Sequence, residues 1–217
     1  MEIIRVNPDK PDLNLVHKAA EIILNEGVIG YPTETVYGLG ANALSDAAVE
    51  KVFKLKGRER AKPILIISSD IEQVTKLISS FPARAEILAR FFWPGPLTIV
   101  FEASLKLPDL LLGGGSRIGI RIPDNRTCLE LLKLCGVPIT STSANISGQK
   151  NPISAQEVYE NFGDKLDLII DGGASPSRTP STVVLVKHDN VTLIREGAIT
   201  KVEIEQTIGN LTNEKER

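Results

Sequence analysis

Short runs of branched apolar residues alternate with polar, glycine- or proline-marked connections along this chain, a rhythm that predicts strands and helices in irregular succession. Asp12 stands where a helix cap belongs. It precedes Leu15, Val16, Ala19, Ile22 and Ile23 at a period of about 3.6, and Gly27 stops the helix. Val28 to Tyr31 then reads as a strand ended by Pro32, and residues 33–40 read as a polar, glycine-punctuated turn. Ser45 caps a second helix whose Ala48, Val49, Val52 and Phe53 share a face, and this helix delivers the chain to Lys56-Gly57-Arg58. The run Ile64 to Ile67 is too short for a helix and rich in β-branched residues, which predicts a buried strand.

Asp70 with Gln73 resembles a capping pair, and Pro82 suits the first turn of a helix ending near Phe92. Trp93-Pro94-Gly95-Pro96 cannot be helix interior and forms a rigid turn into a strand from Leu97 to Phe101. A loop at Gly113-Gly114-Gly115-Ser116 precedes an alternating strand from Arg117 to Pro123, in which Arg117 and Arg121 share parity and face one side. A helix through Leu129, Leu131 and Leu132 runs to Gly136, after which Val137 to Thr140 leads into a hydroxyl-rich segment. Ser154 with Glu157 reads as a capping box, and strands follow at Leu166 to Ile170, Thr182 to Val186 and Val191 to Ile194. Several neighbouring strands have only turn-length connections, so the pattern predicts an α/β fold built on a twisted mixed sheet with flanking helices. The stretch 210–217 is polar and charged, and a frayed tail is expected there.

A content of 42% hydrophobic residues in 217 suffices for a real core and excludes disorder of the whole chain. Lys and Arg number 25 against 27 Asp and Glu, so no general field attracts polyanions. The positive charge is local: Lys51, Lys54, Lys56, Arg58, Arg60 and Lys62 are interrupted by a single acid, Glu59. Neither an apolar leader nor a run of about 18 uncharged apolar residues is present, which excludes a membrane span and points to the cytoplasm. Cys128 and Cys135, seven apart, fall on one helix face and read as buried free thiols. His17 and His188 have no Cys or carboxylate at ligand spacing, so no structural zinc site is expected.

The local charge makes an anion the natural guest of Lys56-Gly57-Arg58. No glycine is followed by the Lys-Ser or Lys-Thr of a phosphate-binding loop, and no G-x-G-x-x-G opens a helix, so the familiar nucleotide folds fit poorly. A bound nucleotide would place its phosphates on Lys56 and Arg58. By residue type alone the same cluster is equally a solvated helix end. Ser141, Thr142, Ser143, Asn145 and Ser147 crowd the end of a buried strand, where α/β sheets hold ligands. Thr33, Thr35 and Tyr37 offer hydrogen bonds to a small polar ligand, and Arg121 offers a fork for a carboxylate. Residues 175–182 form a donor-rich segment that reads either as a cover over a site or as a connector.

Six segments taken in order resemble the YrdC-like family of threonylcarbamoyl-AMP synthases. They are Tyr31 to Gly40, Lys56-Gly57-Arg58, Trp93 to Thr98, Arg121-Ile122-Pro123, Thr142 to Gly148 and Ser181-Thr182-Val183-Val184. The resemblance runs from about Val28 to Gly197. It implies the YrdC/RibB-like fold with a concave basic cleft, in one catalytic domain over residues 1–205 followed by a polar tail, 206–217. It further implies a nucleotidyltransferase that joins L-threonine, bicarbonate and ATP into L-threonylcarbamoyladenylate with release of pyrophosphate. That product would serve threonylcarbamoylation of the tRNA adenosine 3′ of the anticodon, completed by a separate transferase complex.

The same resemblance assigns roles. Lys56 and Arg58 become phosphate ligands and the catalytic pair, with Arg60 and Lys62 as helpers, Lys62 on the threonine side. Ser141, Ser143, Asn145 and Arg195 contact ATP, while Thr33, Arg121 and Ser181 hold threonine. Mg²⁺ would arrive with ATP, since no carboxylate cage is visible. Two departures stand out. Glu59 follows Arg58 where many relatives carry proline, and the chain ends without the extra C-terminal domain of longer relatives, so that it resembles the short form. The rival reading is a non-catalytic module that binds structured RNA through phosphates, against which stand the acidic balance and only 5% aromatic residues.

Overall fold

The computed structural model describes residues 1–104 and 107–212 of the chain. Its elements follow in the order β1 (Glu2–Arg5), α1 (Leu13–Leu24), β2 (Ile29–Tyr31), β3 (Gly38–Gly40), α2 (Asp46–Lys56), β4 (Ile66–Ile67), α3 (Ile71–Thr75) and α4 (Ala83–Phe92). The second half comprises β5 (Leu97–Glu102), β6 (Arg117–Arg121), α5 (Arg126–Cys135), β7 (Ile139–Thr140), β8 (Thr142–Ser143), α6 (Ala155–Phe162), β9 (Leu168–Asp171), β10 (Thr182–Lys187), β11 (Asn190–Arg195) and α7 (Lys201–Ile208). The expected mixed α/β architecture is present, with its strands divided between two mixed sheets. One has the order β1-β9-β2-β3-β8 and the other β11-β10-β5-β6-β4-β7.

The caps work locally. Asp12, Ser45 and Asp70 accept from the backbone N–H of Asn14, Ala48 and Gln73, satisfying donors that each helix start leaves open. Ser154 accepts from Glu157 N–H, yet the Glu157 carboxylate reaches the N–H of Ile153 rather than of Ser154, so the expected reciprocal box is displaced by one residue. The full box is at Thr200 and Glu203, opening a helix the pattern did not announce.

Three expectations need correction. The turn over 33–40 contains the buried strand β3, because Gly38 and Gly40 lie flat on Tyr31 of β2; a Cβ on either would come within 2.8 or 2.9 Å of that ring. The strand β1 was not foreseen, since its pairing with β9 is set by residues more than 160 positions away. The tail expected from residue 206 is helical to Ile208, Leu211 packs on the core, and Thr212 N–H donates to the Val191 carbonyl at 2.8 Å. The rest of that expected tail, 213–217, lies outside the described residues.

Two apolar cores result. One unites α1 and α5 with the β1-β9-β2 face, and it buries both Cys128 and Cys135 as free thiols. The larger one fills the space around β3, α2, α4 and the six-stranded sheet. No described helix is long and apolar enough to cross a membrane. The chain passes directly from one sheet to the other where β7 ends in the second sheet and β8 begins in the first, with Ser141 alone between them. Thr140 N–H donates to the Ala41 carbonyl at 2.9 Å and the Tyr31 hydroxyl donates to the Thr140 carbonyl at 3.0 Å, which ties the junction shut. The side chains beyond that junction face one cleft.

Candidate functional site

The first wall of the cleft is the end of α2. Gly57 adopts the left-handed conformation (φ 58°) that closes the helix and turns the chain outward, a geometry glycine takes without a Cβ penalty. Lys56, on the last helical turn, is only 2% exposed. Its ammonium donates to the Ser143 carbonyl at 2.5 Å, the Asn145 carbonyl at 2.7 Å and Asn145 Oδ1 at 3.2 Å. The Lys56 carbonyl accepts from Ser147 N–H at 3.0 Å, so helix end and hydroxyl-rich loop are laced together from both sides. Burial, with a smaller contribution from Arg58, pushes the Lys56 ammonium down to about 7.

Arg58 donates from Nε to the Lys62 carbonyl and from Nη2 to the Pro63 carbonyl, at 3.1 and 2.8 Å, and so closes the loop it begins. Burial lowers its pKa from the usual guanidinium value. Glu59 pairs with Lys62 at 2.9 Å across the same loop, giving this position a closing contact. Arg60 is turned away. It forks onto Glu50 at 2.6 and 2.7 Å and lines a separate depression with Asp46 and Asp109.

The second wall is β8 and the loop after it. Ser143 Oγ donates to Asn145 Oδ1 at 2.6 Å, and Asn145 Nδ2 donates to the Gln149 carbonyl at 2.5 Å. With Lys56 on the same oxygen, Asn145 Oδ1 is fully engaged in holding the loop, while Nδ2 keeps a second proton. The third wall joins β10 to β11: Arg195 Nη2 donates to the Ser181 carbonyl at 2.8 Å, and Ser181 Oγ bonds Thr98 Oγ1 at 2.9 Å. Burial, then the neighbouring Arg121, lowers the Arg195 guanidinium from its usual value. Arg121, at the end of β6 and 4% exposed, forms the floor. It pairs through Nη1 with Glu34 Oε1, whereas Arg117, four residues earlier on the same strand, is exposed and bonds Glu102.

These walls enclose two adjoining depressions. An inner cavity of about 170 Å³ is lined by Thr35, Arg121, Ser141, Ser181 and Arg195. An outer one of about 280 Å³ is lined by Lys56, Lys62, Asn145 and Gly148. Arg58, Ser143 and Asn151 border both. Thus most of the candidate residues named from sequence converge: Lys56, Arg58, Ser141, Ser143, Asn145, Arg121, Ser181 and Arg195 meet in one trough. Lys62 lies in the outer half with Lys56, not beside Arg121. Thr33 is buried beneath the inner cavity, its hydroxyl donating to the Val36 carbonyl, and its neighbour Thr35 lines the cavity instead. Glu34, Thr98 and Asn151 were not singled out from sequence. Glu34 and Thr98 fall inside recognised segments, while Asn151 has no local signal at all.

Of residues 175–181 only Pro180 and Ser181 border the trough, and the segment is fastened at both ends. Ser175 Oγ donates to the Thr33 carbonyl at 3.1 Å and Thr182 N–H to the Pro96 carbonyl at 3.0 Å. No group of three or more His, Cys, Asp or Glu among the described residues is placed to hold a metal ion. In sum the trough offers five cations, backbone-anchored hydroxyls and one carboxylate behind Arg121, a set suited to holding two anionic reactants side by side.

Comparison with known proteins agrees with this chemistry. The Sua5_yciO_yrdC family model, described as "Telomere recombination", matches residues 21–197. The chain is 42% identical to the threonylcarbamoyl-AMP synthase of Pyrococcus abyssi over 193 residues, which is 89% of this chain and 57% of that protein. It is 38% identical to the putative threonylcarbamoyl-AMP synthase of Methanocaldococcus jannaschii over 177 residues, 82% of this chain and 83% of that one. The crystal structure of P. abyssi Sua5 complexed with L-threonine superposes with a TM-score of 0.94 at 40% identity, over 96% of this chain and 61% of that one. Escherichia coli YciO superposes with a TM-score of 0.81 at 27% identity, over 90% of this chain and 95% of that one. The chain spans a little over half the length of the first two curated relatives, from P. abyssi and Bacillus subtilis.

Proposed function

The chain belongs to the Sua5/YciO/YrdC family, and we propose that it is an L-threonylcarbamoyladenylate synthase acting in the cytoplasm. The observation that carries this reading is the pair of depressions bordered in common by Arg58 and Ser143, an amino-acid-sized cavity opening onto a basic trough. L-Threonine fits the inner cavity, its carboxylate on Arg121 and its contacts completed by Ser181. The triphosphate lies on Lys56, Arg58 and Lys62, with Arg195, Ser141, Ser143 and Asn145 around the nucleotide. Mg²⁺ enters with ATP as part of that substrate.

The reaction divides into two balanced steps. The threonine ammonium gives up a proton, its nitrogen forms a C–N bond with the carbon of bicarbonate, and water leaves, so that a carbamate and one proton are produced. A carbamate oxygen then attacks the α-phosphorus, the Pα–O bond to the β-phosphate breaks, and pyrophosphate departs. The residues contribute position and charge: both reactants are anions, and the cations at the shared border hold them within reach of each other. The released adenylate would pass to a transferase complex that modifies the tRNA adenosine 3′ of the anticodon.

Pyrophosphate release in the presence of ATP, L-threonine and bicarbonate tests the reading. Omission of either L-threonine or bicarbonate is expected to abolish release. Tight RNA binding without turnover would favour the RNA-binding module, and threonine-independent consumption of ATP would favour carbamoyl transfer to another acceptor.

Lys56 adds a pH signature. Its folded pKa is lowered to about 7, so the ammonium is present below about pH 7 and is lost as pH rises. A triphosphate favours the charged form, and binding at pH 8 therefore takes up a proton. ATP affinity is expected to fall above pH 7 by up to about tenfold per unit. Titration calorimetry in two buffers of different ionisation enthalpy reads the uptake directly; zero uptake at pH 8 would rule out this role for Lys56.

A further inference from the structure

We infer that α4 presents a self-complementary face on which a second copy of this chain docks, helix against helix and antiparallel. The face is separate from the trough, since none of its residues lines either depression.

The residues of α4 divide into two opposed stripes. Ala85, Leu88 and Ala89 point inward and belong to the larger core. Ala83, Ile87, Phe91 and Pro94 recur at steps of four, four and three, which stacks them on the opposite side, and all four are exposed. The solvent side of a surface helix is ordinarily polar. Here Phe91 is 71% exposed, the highest value of any large hydrophobic side chain among the described residues, and Ile87 one turn before it is 43% exposed. A lone exposed apolar residue needs no explanation, but an unbroken apolar band along a helix marks a contact surface.

Charge decides the occupant and its direction. Glu86 and Arg90 lie one turn apart on the same flank of that band, both exposed and paired at 3.7 Å. Two helices packed antiparallel about a dyad bring like flanks together, whereas parallel packing brings opposite flanks together. With the dyad level with Leu88 and Ala89, Glu86 of each copy meets Arg90 of the other, and Ile87 of each meets Phe91 of the other across the seam. One register thus satisfies the rule of a two-fold interface, that residue i contacts j while j contacts i, for the charges and for the apolar pair alike. A parallel arrangement leaves the charges unmatched. Beside the charged flank lies an apolar depression of about 680 Å³ among Ile71, Phe81 and Trp93, with Glu86 and Arg90 at its lip, which lets the contact spread sideways onto α3. A ten-residue helix is about 15 Å long, short for a standard interface, so the dimer is a weak one with a dissociation constant on the order of 10–100 µM.

Sedimentation equilibrium of the full chain over about 5 to 500 µM reads the association directly. Phe91→Ser is expected to weaken it about tenfold or more while the fold is kept, because the ring is exposed. Glu86→Arg and Arg90→Glu should each weaken self-association by about fivefold or more, since each sets like charges together at two places. Mixed with each other, these two variants should associate at least as tightly as the parent does with itself, because every facing pair is then again of opposite sign. A parent chain that is monomeric throughout the range would overturn the inference and leave the band to a different protein. Unchanged association in Phe91→Ser, or charge variants that fail to weaken alone or fail to recover when mixed, would overturn it equally.

Discussion

Replacement of Lys56 by alanine is expected to lower threonine-dependent pyrophosphate release by about a hundredfold or more, a loss of about 2.7 kcal/mol of transition-state stabilisation. The size follows from two roles carried by one ammonium. It supplies positive charge beneath the phosphates, and it holds three oxygens of the Ser143–Asn145 loop, of which the buried Asn145 carbonyl has no other donor among the described residues. Charge-assisted hydrogen bonds of this kind are worth about 1.5 to 3 kcal/mol each, and removing the donor leaves part of the desolvation cost behind. A second readout separates the roles: melting should shift down as well, because Lys56 is buried and ties α2 to β8. Lys56→Arg should not rescue turnover, since a planar fork cannot meet three acceptors arranged around a point charge. Near-parental release by Lys56→Ala would remove this residue, and the reading of the trough built on it, from consideration.

How much of this was legible in the sequence depends on the distance over which each contact is decided. The caps at Asp12, Ser45 and Asp70 involve partners two or three residues away, and they were read correctly. The strand β3 was not, because glycine has no strand signature; Gly38 and Gly40 are strand residues only because the Tyr31 ring needs the room. The basic stretch was plain, but the direction of each side chain was not. Arg60 follows Glu50 out of the trough, and Lys56 turns inward to carbonyls nearly ninety residues away. The division into two sheets, which creates the trough, hangs on a single residue, Ser141, between two strands of two residues each. No periodicity argument reaches a pattern that short. Resemblance supplied what periodicity missed in naming Ser181 and Arg195, whereas Glu34 and Asn151 became visible only with their neighbours in place.

Gly197→Ala is expected to produce the largest stability loss of any single methyl group added at the site. Gly197 follows β11 and passes directly over the Pro180–Ser181 peptide. A Cβ there would lie 2.3 Å from the Pro180 carbonyl oxygen and 2.6 Å from the carbonyl carbon of Ser181. Both are backbone atoms, which cannot rotate aside as a side chain would. The same segment also ties the peptide down, with Ala198 N–H on the Pro180 carbonyl and Gly197 N–H on Thr182 Oγ1, at 3.0 and 2.9 Å. Overpacking without relaxation costs about 3 kcal/mol, which lowers the melting temperature of a chain this size by roughly 6 to 12 °C. Gly136→Ala supplies the contrast. Its φ of 65° penalises a Cβ by about 1 kcal/mol, but nothing lies within 4 Å and the cleft is distant, so a small shift with unchanged turnover is expected. Relief of the Gly197→Ala clash can come only by moving Ser181, and Arg195 holds the Ser181 carbonyl at 2.8 Å, so the movement spreads to both. Threonine-dependent turnover should therefore fall beyond what the loss of folded protein explains, measured below the melting range where the variant is still native. A variant that melts within about 2 °C of the parent, or that is native and fully active, would show that the Pro180–Ser181 peptide is free to shift and that the third wall of the trough is not fixed by Gly197.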